Sequence, residues 1–195
     1  MHKVLYLFFA LTGGILPFSF IAGAAASEAE LWNKLADGGL VVLMRHTSTV
    51  TGGDVGGSLI RDPSCARERN LSSKGIDEAI QIGKMFASKG IPVKNVLASP
   101  YCRTVDTAKF AFGRVNPTGF LSLIETMPHN QAEAATKQLN QRIGSYSGSE
   151  NLVMVTHAPN INAVAFDPVE KGAFLILKPM GNGDFEELGK MNLFK

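Results

Sequence analysis

Cysteine, histidine, tryptophan and tyrosine are scarce in this chain of 195 residues, which has two cysteines, four histidines, one tryptophan and three tyrosines. The histidines and cysteines show none of the spacings typical of metal ligands, so no metal is expected. Basic residues are scattered without a basic stripe or an aromatic platform, which argues against general nucleic-acid binding. The glycine-rich stretch Thr51–Gly57 lacks the Lys-Ser/Thr ending of a P-loop. We interpret this stretch as a flexible flap near the functional site.

The first 26 residues differ in character from the rest of the chain. A weakly basic start, Met1–Lys3, precedes an apolar run, Val4–Ile21, and the small residues Ala24–Ala26. This order is typical of a secretory signal peptide with its cleavage site. The apolar run is almost long enough to span a bilayer, so a retained membrane anchor is the alternative. We predict a signal peptide at 1–26, a single domain at 27–195, a periplasmic or secreted location, and no membrane span after cleavage.

The only two cysteines, Cys65 and Cys102, both follow that segment. A cysteine pair in an exported protein is typical of a disulfide bond, and two buried free thiols are the alternative. A bridge would close a loop of moderate length and would stabilise the fold by roughly 3–4 kcal/mol. It would also connect the long loop after His46 to the segment around Cys102.

Two apolar runs each end on a histidine. Leu40–Met44 precedes Arg45 and His46, and Leu152–Thr156 precedes His157. Runs that are apolar without alternation and rich in branched side chains indicate buried strands of a parallel sheet. In open α/β sheets, ligands bind just beyond the carboxyl ends of the strands. We therefore expect both imidazoles to lie in one shared active site.

A third segment adds positive charge to the same sheet edge. Val96–Ala98 predicts the end of another buried strand, and Ser99 is a suitable N-cap for a helix from about Pro100 to Phe112. The N-terminus of such a helix attracts anions, and Arg103 in its first turn adds a planar, bidentate donor. Two arginines, two histidines and a helix N-terminus at one edge predict a site for a phosphoryl group.

Strands and helices alternate along the rest of the chain. The predicted helices are 27–36 with a capping box of Ser27 and Glu30, 72–88 capped by Ser72 or Ser73, 100–112, 131–143 and 159–165. The predicted strands are 40–44, 94–98, 120–124, 152–156, 173–177 and an edge strand at 185–188. No internal repeat or second domain is visible. The predicted fold class is α/β, a single-domain three-layer α/β/α sandwich with a mostly parallel sheet.

Four blocks of residues follow one another along the chain: Arg45-His46-Thr47, Arg69-Asn70-Leu71-Ser72-x-x-Gly75-x-x-x-Ala79, Ser99-Pro100-x-x-Arg103-Thr104-x-x-Thr107-Ala108 and Thr156-His157. In this order they resemble the histidine phosphatase superfamily, which includes the cofactor-dependent phosphoglycerate mutases. The resemblance covers about 39–177. Within the superfamily the chain is similar to small exported bacterial members with cysteines at the positions of Cys65 and Cys102. The resemblance implies a phosphoglycerate mutase-like fold, this disulfide pairing, and no cofactor.

The resemblance also implies catalytic roles. His46 would be the nucleophile and would become a phosphohistidine that water then hydrolyses. This chemistry requires a neutral imidazole whose other nitrogen is held by a carbonyl or a similar acceptor. Arg45, Arg103 and His157 would neutralise the oxygens of the transferring phosphoryl group, where charge is concentrated in the transition state. A structural role is the alternative for each histidine.

Three further residues, Thr47, Ser99 and Arg69, are candidates for substrate binding. Thr47 stands where glycine is commonest in the superfamily, and this places a side chain near the nucleophile. Arg69 belongs to the densest basic group of the chain, with Arg61 and Arg67. Such a cluster beside a phosphate site suggests an anionic substrate, and a solvated loop is the alternative for Arg61 and Arg67.

The proton donor is assigned by the same resemblance. An alanine follows His157, where phytase-like members have the aspartate that donates the proton. Mutase-like members use a glutamate from the segment after the Ser-Pro-Arg helix, and Glu125 is the nearest match. A carboxylic acid held protonated there can donate to the leaving oxygen, and an ordinary loop glutamate is the alternative. Asp54 and Asp62 are weaker candidates, and His129 is expected at the surface.

These observations predict an exported, metal-independent phosphatase for phosphomonoesters. A phosphoglycerate mutase uses the same catalytic residues, but an exported protein would not meet glycolytic intermediates. The alternatives are a non-catalytic phosphate- or polyanion-binding module on the same fold, and a phosphatase specific for envelope glycolipid phosphates. Short connections between the motifs predict a shallow site. We therefore expect a phosphorylated small molecule, a phosphosugar, a glycolipid or a phosphorylated protein as substrate.

Overall fold

The structure is a computed structural model that describes residues 26–51, 59–165 and 168–194. The predicted signal peptide, apart from Ala26, lies outside the described residues, and so does the glycine-rich stretch with Asp54, apart from Thr51. Within the described ranges, no helix has the length and the apolar character needed to cross a bilayer.

The described residues form a sheet of six strands. In chain order the strands are β1 (Val41–Arg45), β2 (Val93–Ala98), β3 (Asn116–Pro117), β4 (Asn151–Thr156), β5 (Phe174–Gly181) and β6 (Asp184–Met191). Their order across the sheet is β3-β2-β4-β1-β5-β6. The pairings from β3 to β1 are parallel, and β5 is antiparallel to both of its neighbours. The prediction of a mostly parallel sheet is confirmed.

Helices cover both faces of this sheet. They are α1 (Glu28–Asp37), α2 (Ser73–Ser88), α3 (Cys102–Phe112), α4 (His129–Gly144) and α5 (Ala158–Ala165). Along β1, Val42 and Met44 pack in the core shared with α1, α2 and α3, whereas Val41 and Leu43 pack in the core shared with α4 and α5. Successive side chains of a strand point to opposite faces, so each apolar strand serves two cores. The predicted three-layer sandwich is confirmed.

Two of the predicted helix caps are present. The Ser27 amide donates to Glu30 Oε2 at 2.7 Å, and the Glu30 amide donates to Ser27 Oγ at 3.3 Å, which completes a capping box. At the start of α2, Ser72 Oγ accepts from the Gly75 amide at 3.1 Å. Both helices therefore begin where the sequence predicts.

The predicted cap of α3 is wrong. The helix begins at Cys102, and the residue before it, Tyr101, makes no side-chain cap. The hydroxyl of Ser99 instead lies 2.8 Å from His157 Nε2, so it is engaged across the sheet edge rather than with its own helix. The Ser99 hydroxyl, which local propensity assigns to the helix cap, makes a tertiary hydrogen bond with His157 instead.

The predicted strand at 120–124 is also wrong. This region forms two short 3₁₀ helices, Gly119–Leu121 and Ile124–Thr126, and the edge strand lies just upstream as β3. Leu121 and Leu123 are buried, and the first of them packs in the core beside α4 and α5. These leucines make the segment apolar because a turn is buried there, and in the sequence such a segment resembles a strand.

Candidate active site

His46 and His157 follow neighbouring strands, β1 and β4. The parallel register pairs Arg45 with Thr156, so the two histidines come next to each other. The His46 amide donates to the Thr156 carbonyl at 3.1 Å, and the imidazole centroids are 5.6 Å apart. Each histidine is 2% exposed. The structure thus brings both imidazoles to one sheet edge.

The His46 ring is held in a single tautomer. Its Nδ1 lies 2.8 Å from the Thr47 carbonyl, which can only accept, so Nδ1 carries the proton and Nε2 has a lone pair. Burial lowers the pKa of His46 to about 3; the Thr47 bond opposes this, and the positive charges of Arg103 and Arg45 add to it. His46 is therefore a neutral imidazole at physiological pH, as the chemistry of a nitrogen nucleophile requires.

His157 has the opposite tautomer. Arg103 Nη2 lies 3.3 Å from His157 Nδ1, and because a guanidinium only donates, Nδ1 accepts. Nε2 then carries the proton and donates to Ser99 Oγ at 2.8 Å. Burial, reinforced by the charge of Arg103, lowers the pKa of His157 well below its usual value. The Tyr101 ring packs edge-on against this imidazole with the centroids 5.0 Å apart.

A cavity of about 130 Å³ lies at this edge. It is lined by both histidines, three arginines and Glu125, together with apolar residues; the lining set is Arg45, His46, Leu59, Arg69, Arg103, Leu123, Glu125, His157, Ala158 and Pro159. A larger groove of about 550 Å³ runs along α4 beside the turn between β5 and β6. We assign the functional site to the smaller cavity because three arginines and two buried histidines converge on it.

The arginines of this cavity have donors without acceptors. Within the described residues, four buried guanidinium nitrogens lack a hydrogen-bond partner: Nε of Arg45, Nε of Arg69, and Nε and Nη1 of Arg103. A buried N–H without an acceptor is costly unless a ligand supplies one. An anion with several oxygens, such as a phosphoryl group, would satisfy all three side chains.

Arg45 and Arg103 are fixed by the protein around them. Arg45 Nη1 donates to the Val169 carbonyl at 2.8 Å, and burial followed by the nearby charge of Arg69 lowers its pKa. Arg103 is 1% exposed and its guanidinium lies 4.6 Å from the centre of the Tyr101 ring. Burial lowers the pKa of Arg103 to about 10, which still leaves it charged at neutral pH.

Two of the candidate substrate-binding residues lie behind the cavity wall. The Thr47 amide and Thr47 Oγ1 each lie 3.2 Å from Thr107 Oγ1, which in turn donates to the Arg103 carbonyl at 2.7 Å. The Thr47 side chain therefore packs against α3. Ser99 Oγ contacts His157 and is likewise outside the set of cavity-lining residues. Both residues position the groups that line the cavity.

Of the predicted arginine cluster, Arg69 is the member that lines the cavity. Arg67 Nε pairs with an oxygen of Asp62 at 3.3 Å, and its side chain is 79% exposed. Arg61 Nε donates to the Pro100 carbonyl at 3.4 Å at the surface. Arg61 and Arg67 therefore lie in a solvated loop, and Arg69 is the arginine of this cluster that could contact an anion in the cavity.

Glu68 is a buried residue of this region that the sequence analysis missed. Its Oε2 accepts from the Cys102 amide at 2.8 Å, and its Oε1 accepts from the Asp62 amide at 3.0 Å. The amide of Cys102, the first residue of α3, is therefore bonded to the Glu68 carboxylate and is not free to bind a phosphoryl group. For this amide, the predicted anion binding at the helix N-terminus is wrong. Between Arg67 and Arg69, Glu68 has the sequence signature of a solvated charge run, and nothing local indicates its burial.

Cys65 and Cys102 form a disulfide with their Cα atoms 5.8 Å apart. The predicted bridge is confirmed, and among the described residues no cysteine is free. The bridge joins the segment that carries Glu68 and Arg69 to the first residue of α3. Arg103 is the next residue along, so the cross-link lies directly beside the cavity.

The acidic candidates differ in their placement. Glu125 lies in the second 3₁₀ helix, is exposed, and lines the cavity. Asp62 is outside the lining set, and hydrogen bonds from Ser64, followed by those from Arg67, lower its pKa to about 2. A carboxyl group that stays ionised is unsuited to donate a proton. His129 is at the surface, where its Nε2 is 3.2 Å from Glu133 Oε1.

The part of the chain that the structure describes contains no group of three or more histidine, cysteine, aspartate or glutamate side chains arranged to hold a metal ion. The charged groups that line the cavity are instead guanidiniums and one carboxylate.

Several solved structures are similar to this one in fold, at low sequence identity. The protein histidine phosphatase SixA, solved with tungstate, is 14% identical, with a TM-score of 0.57 over 78% of this chain and 96% of that chain. YhfR from Bacillus stearothermophilus is 13% identical, with a TM-score of 0.55 over 76% of this chain and 94% of that chain. An Escherichia coli protein, described as a candidate alpha-ribazole-5′-P phosphatase, is 14% identical, with a TM-score of 0.55 over 77% and 94%. No protein-family model and no curated protein matches the sequence.

The sheet order and the cavity define an α/β protein with three arginines and two histidines gathered at the carboxyl edge of its parallel strands. Its fold is phosphoglycerate mutase-like, and SixA and YhfR share it. The fold that the four sequence blocks predict is therefore confirmed.

Proposed function

We propose that this protein is a phosphatase that hydrolyses phosphomonoesters through a phosphohistidine on His46. The observation that carries the proposal is a neutral imidazole with its Nε2 lone pair available, in a cavity lined by three arginines. Four buried guanidinium nitrogens of these arginines have no hydrogen-bond partner among the described residues. The guanidiniums suit the oxygens of a phosphoryl group, and the imidazole suits its phosphorus. A site that only binds phosphate needs no such nucleophile.

In the first half of the reaction, His46 Nε2 attacks phosphorus in line with the leaving oxygen. The N–P bond forms as the P–O bond to the leaving group breaks. Arg45, Arg69 and Arg103 donate hydrogen bonds to the phosphoryl oxygens and neutralise the charge that gathers there. Glu125, the carboxyl group that lines the cavity, gives its proton to the leaving oxygen.

In the second half, water attacks the phosphorus of the phosphohistidine. Its proton passes to the Glu125 carboxylate, the N–P bond breaks, and inorganic phosphate leaves with His46 neutral again. The three guanidiniums supply the positive charge that phosphoryl transfer requires. We therefore propose a metal-independent reaction without a cofactor.

The size of the cavity bears on the substrate. About 130 Å³ has room for a phosphoryl group and little more, so the leaving group extends beyond the cavity. A phosphorylated small molecule, a phosphosugar or a glycolipid fits this description. SixA is a protein histidine phosphatase, and the fold shared with it supports a phosphorylated substrate in general. The signal-peptide pattern of 1–26 supports a periplasmic or secreted location.

The test is hydrolysis of p-nitrophenyl phosphate in EDTA by the purified wild type and by His46→Ala. We expect His46→Ala to lose activity by about 1000-fold or more, as removal of a nucleophile does in other enzymes. His129→Ala is the matched control, because that imidazole is exposed on α4, and it should retain full activity. Rapid quenching should trap one phosphoryl group per wild-type chain and none on His46→Ala.

Two outcomes would contradict the proposal. Undiminished hydrolysis by His46→Ala would place the nucleophile elsewhere. A folded wild type that binds inorganic phosphate but hydrolyses no member of a phosphosugar, lipid phosphate and phosphopeptide panel would instead favour a phosphate- or polyanion-binding module.

A further inference from the structure

Glu68 is a fully buried carboxylate that contacts a cavity arginine from behind. The residue is 2% exposed, and it is outside the set of cavity-lining residues. Its Oε2 lies 3.8 Å from Arg103 Nη1, and the same oxygen accepts from the Cys102 amide. A buried carboxylate is costly, and here two backbone amides and one guanidinium compensate it.

Arg103 depends on this carboxylate for its charge balance. The guanidinium is buried, it lies near the positive Arg69, and burial disfavours its charged form. Glu68 acts in the opposite direction and favours the charged form. The other polar contact of the guanidinium, to His157 Nδ1, is with a neutral ring. In the part of the chain that the structure describes, Glu68 is therefore the carboxylate that pairs with Arg103.

Glu68 also fixes where the guanidinium lies. Through the Asp62 amide it holds the segment that carries Arg69, and through the Cys102 amide it holds the first turn of α3. The disulfide links the same segment to the same turn. The guanidinium of Arg103 is thus set between Glu68 on one side and His157 on the other, with its Nε left for a ligand.

We propose that Glu68 is a positioning residue that balances the charge of the Arg103 guanidinium and holds it in register with the phosphoryl group. The inference rests on the proposed function and deepens it, because it assigns to the site a carboxylate that never touches the substrate. Glu68→Gln keeps one oxygen to accept from the Cys102 amide and removes the charge that faces Arg103. Its NH2 group then faces the Asp62 amide, and the cost of that lost hydrogen bond should be the same with and without Arg103. We expect kcat to fall about 10- to 100-fold, since small displacements of a catalytic group cost rates of that order.

A double-mutant cycle of Glu68→Gln and Arg103→Ala separates positioning from a structural role. If Glu68 acts through Arg103, Glu68→Gln lowers kcat in the wild type and has little further effect in Arg103→Ala. If Glu68 only secures the loop, the loss is equal in both backgrounds, and the proposal is overturned. Glu78→Gln is the matched control: this buried carboxylate holds the Ser48 amide, and its effect should be the same in both backgrounds.

The same cycle is measured for the binding of inorganic phosphate by titration calorimetry. If the losses of phosphate affinity are non-additive but the wild type hydrolyses nothing, the role of Glu68 is retained and the phosphatase function is rejected. Hydrolysis with additive or absent effects of Glu68→Gln would retain the phosphatase and reject the inference. A wild type that neither hydrolyses nor binds phosphate would reject both. If Glu68→Gln does not fold, Glu68→Asp, which keeps the charge on a shorter side chain, replaces it in the cycle.

Discussion

Ser99 Oγ accepts a hydrogen bond from His157 Nε2 at 2.8 Å, because the opposite ring nitrogen of His157 is already occupied by Arg103 Nη2. The serine and the arginine together select one neutral tautomer of a buried imidazole. Ser99 thus does not cap α3; its hydroxyl instead orients the imidazole that follows the neighbouring strand. The result is a histidine whose ring is held from both sides.

Ser99→Ala should therefore leave the His157 Nε2 proton without an acceptor. A buried donor without a partner costs about 1–3 kcal/mol, so we expect the free energy of unfolding to fall by that amount. We also expect a lower kcat, because the ring can then rotate or change tautomer. Urea unfolding and steady-state kinetics measure the two effects. Ser145→Ala, at an exposed serine after α4, is the control and should change neither quantity.

Glu125→Gln tests the proton donor through the leaving group. The variant should hydrolyse p-nitrophenyl phosphate at close to the wild-type rate, because this leaving group needs little protonation. With an alkyl phosphate we expect a loss of about 100-fold, within the usual range for general acid catalysis. Glu133→Gln, a change at an exposed glutamate on α4, is the control. Equal losses with both substrates would contradict the donor role.

The two histidines make the fold sensitive to mild acid. Burial lowers the pKa of His46 from 6.5 to about 3 and also lowers that of His157. Below pH 6.5 these histidines bind protons in the unfolded chain but stay neutral in the folded chain. The free energy of unfolding therefore decreases as the pH falls towards about 3. His46 contributes up to about 1.4 kcal/mol per pH unit in this window, and His157 adds to the decrease below pH 6.5.

Urea unfolding at neutral and at mildly acidic pH measures this slope. His46→Asn should reduce it, because one of the two neutral rings is removed. His129→Asn should leave it unchanged, since that imidazole is exposed. A wild type whose stability is flat across this range would contradict the neutral, buried state of both rings.

Reduction of the disulfide should destabilise the protein by about 4 kcal/mol in the loop-entropy model, given a sequence separation of 37 residues. The reduced protein that remains folded should also bind inorganic phosphate more weakly, because the bridge holds the segment that carries Arg69. Urea unfolding and phosphate titration with and without dithiothreitol measure both effects. The variant with Cys65→Ala and Cys102→Ala should not respond to the reductant.

The strands that build the site are predictable because they are buried on both faces. Such strands are continuous apolar runs, and Leu152–Thr156 before His157 is an example. Local sequence also predicts the capping box of Ser27 and the cap at Ser72, since each depends on residues three positions away. The convergence of the two histidines follows from one topological rule about strand ends.

The side chains that face away from the cavity are harder to predict. Glu68 accepts from the amide of Cys102, 34 residues further along the chain, and no local pattern indicates such a contact. Thr47, next to the nucleophile, bonds to Thr107 from a helix 60 residues away. The sequence around Ser99 is typical of a helix cap, but its hydroxyl bonds to His157, 58 residues further along the chain. In each case a tertiary hydrogen bond outweighs local propensity.

The backbone of Arg45 and His46 is bonded into the sheet on both sides. The Arg45 amide donates to the Ala173 carbonyl at 3.0 Å, and the His46 amide donates to the Thr156 carbonyl at 3.1 Å. Amide protons in such a position exchange with solvent water only when the sheet itself opens, whereas those of surface loops exchange through local fluctuations. The amide of His46 should therefore be among the slowest to exchange. Fraying of the surface loops then leaves the nucleophile in place.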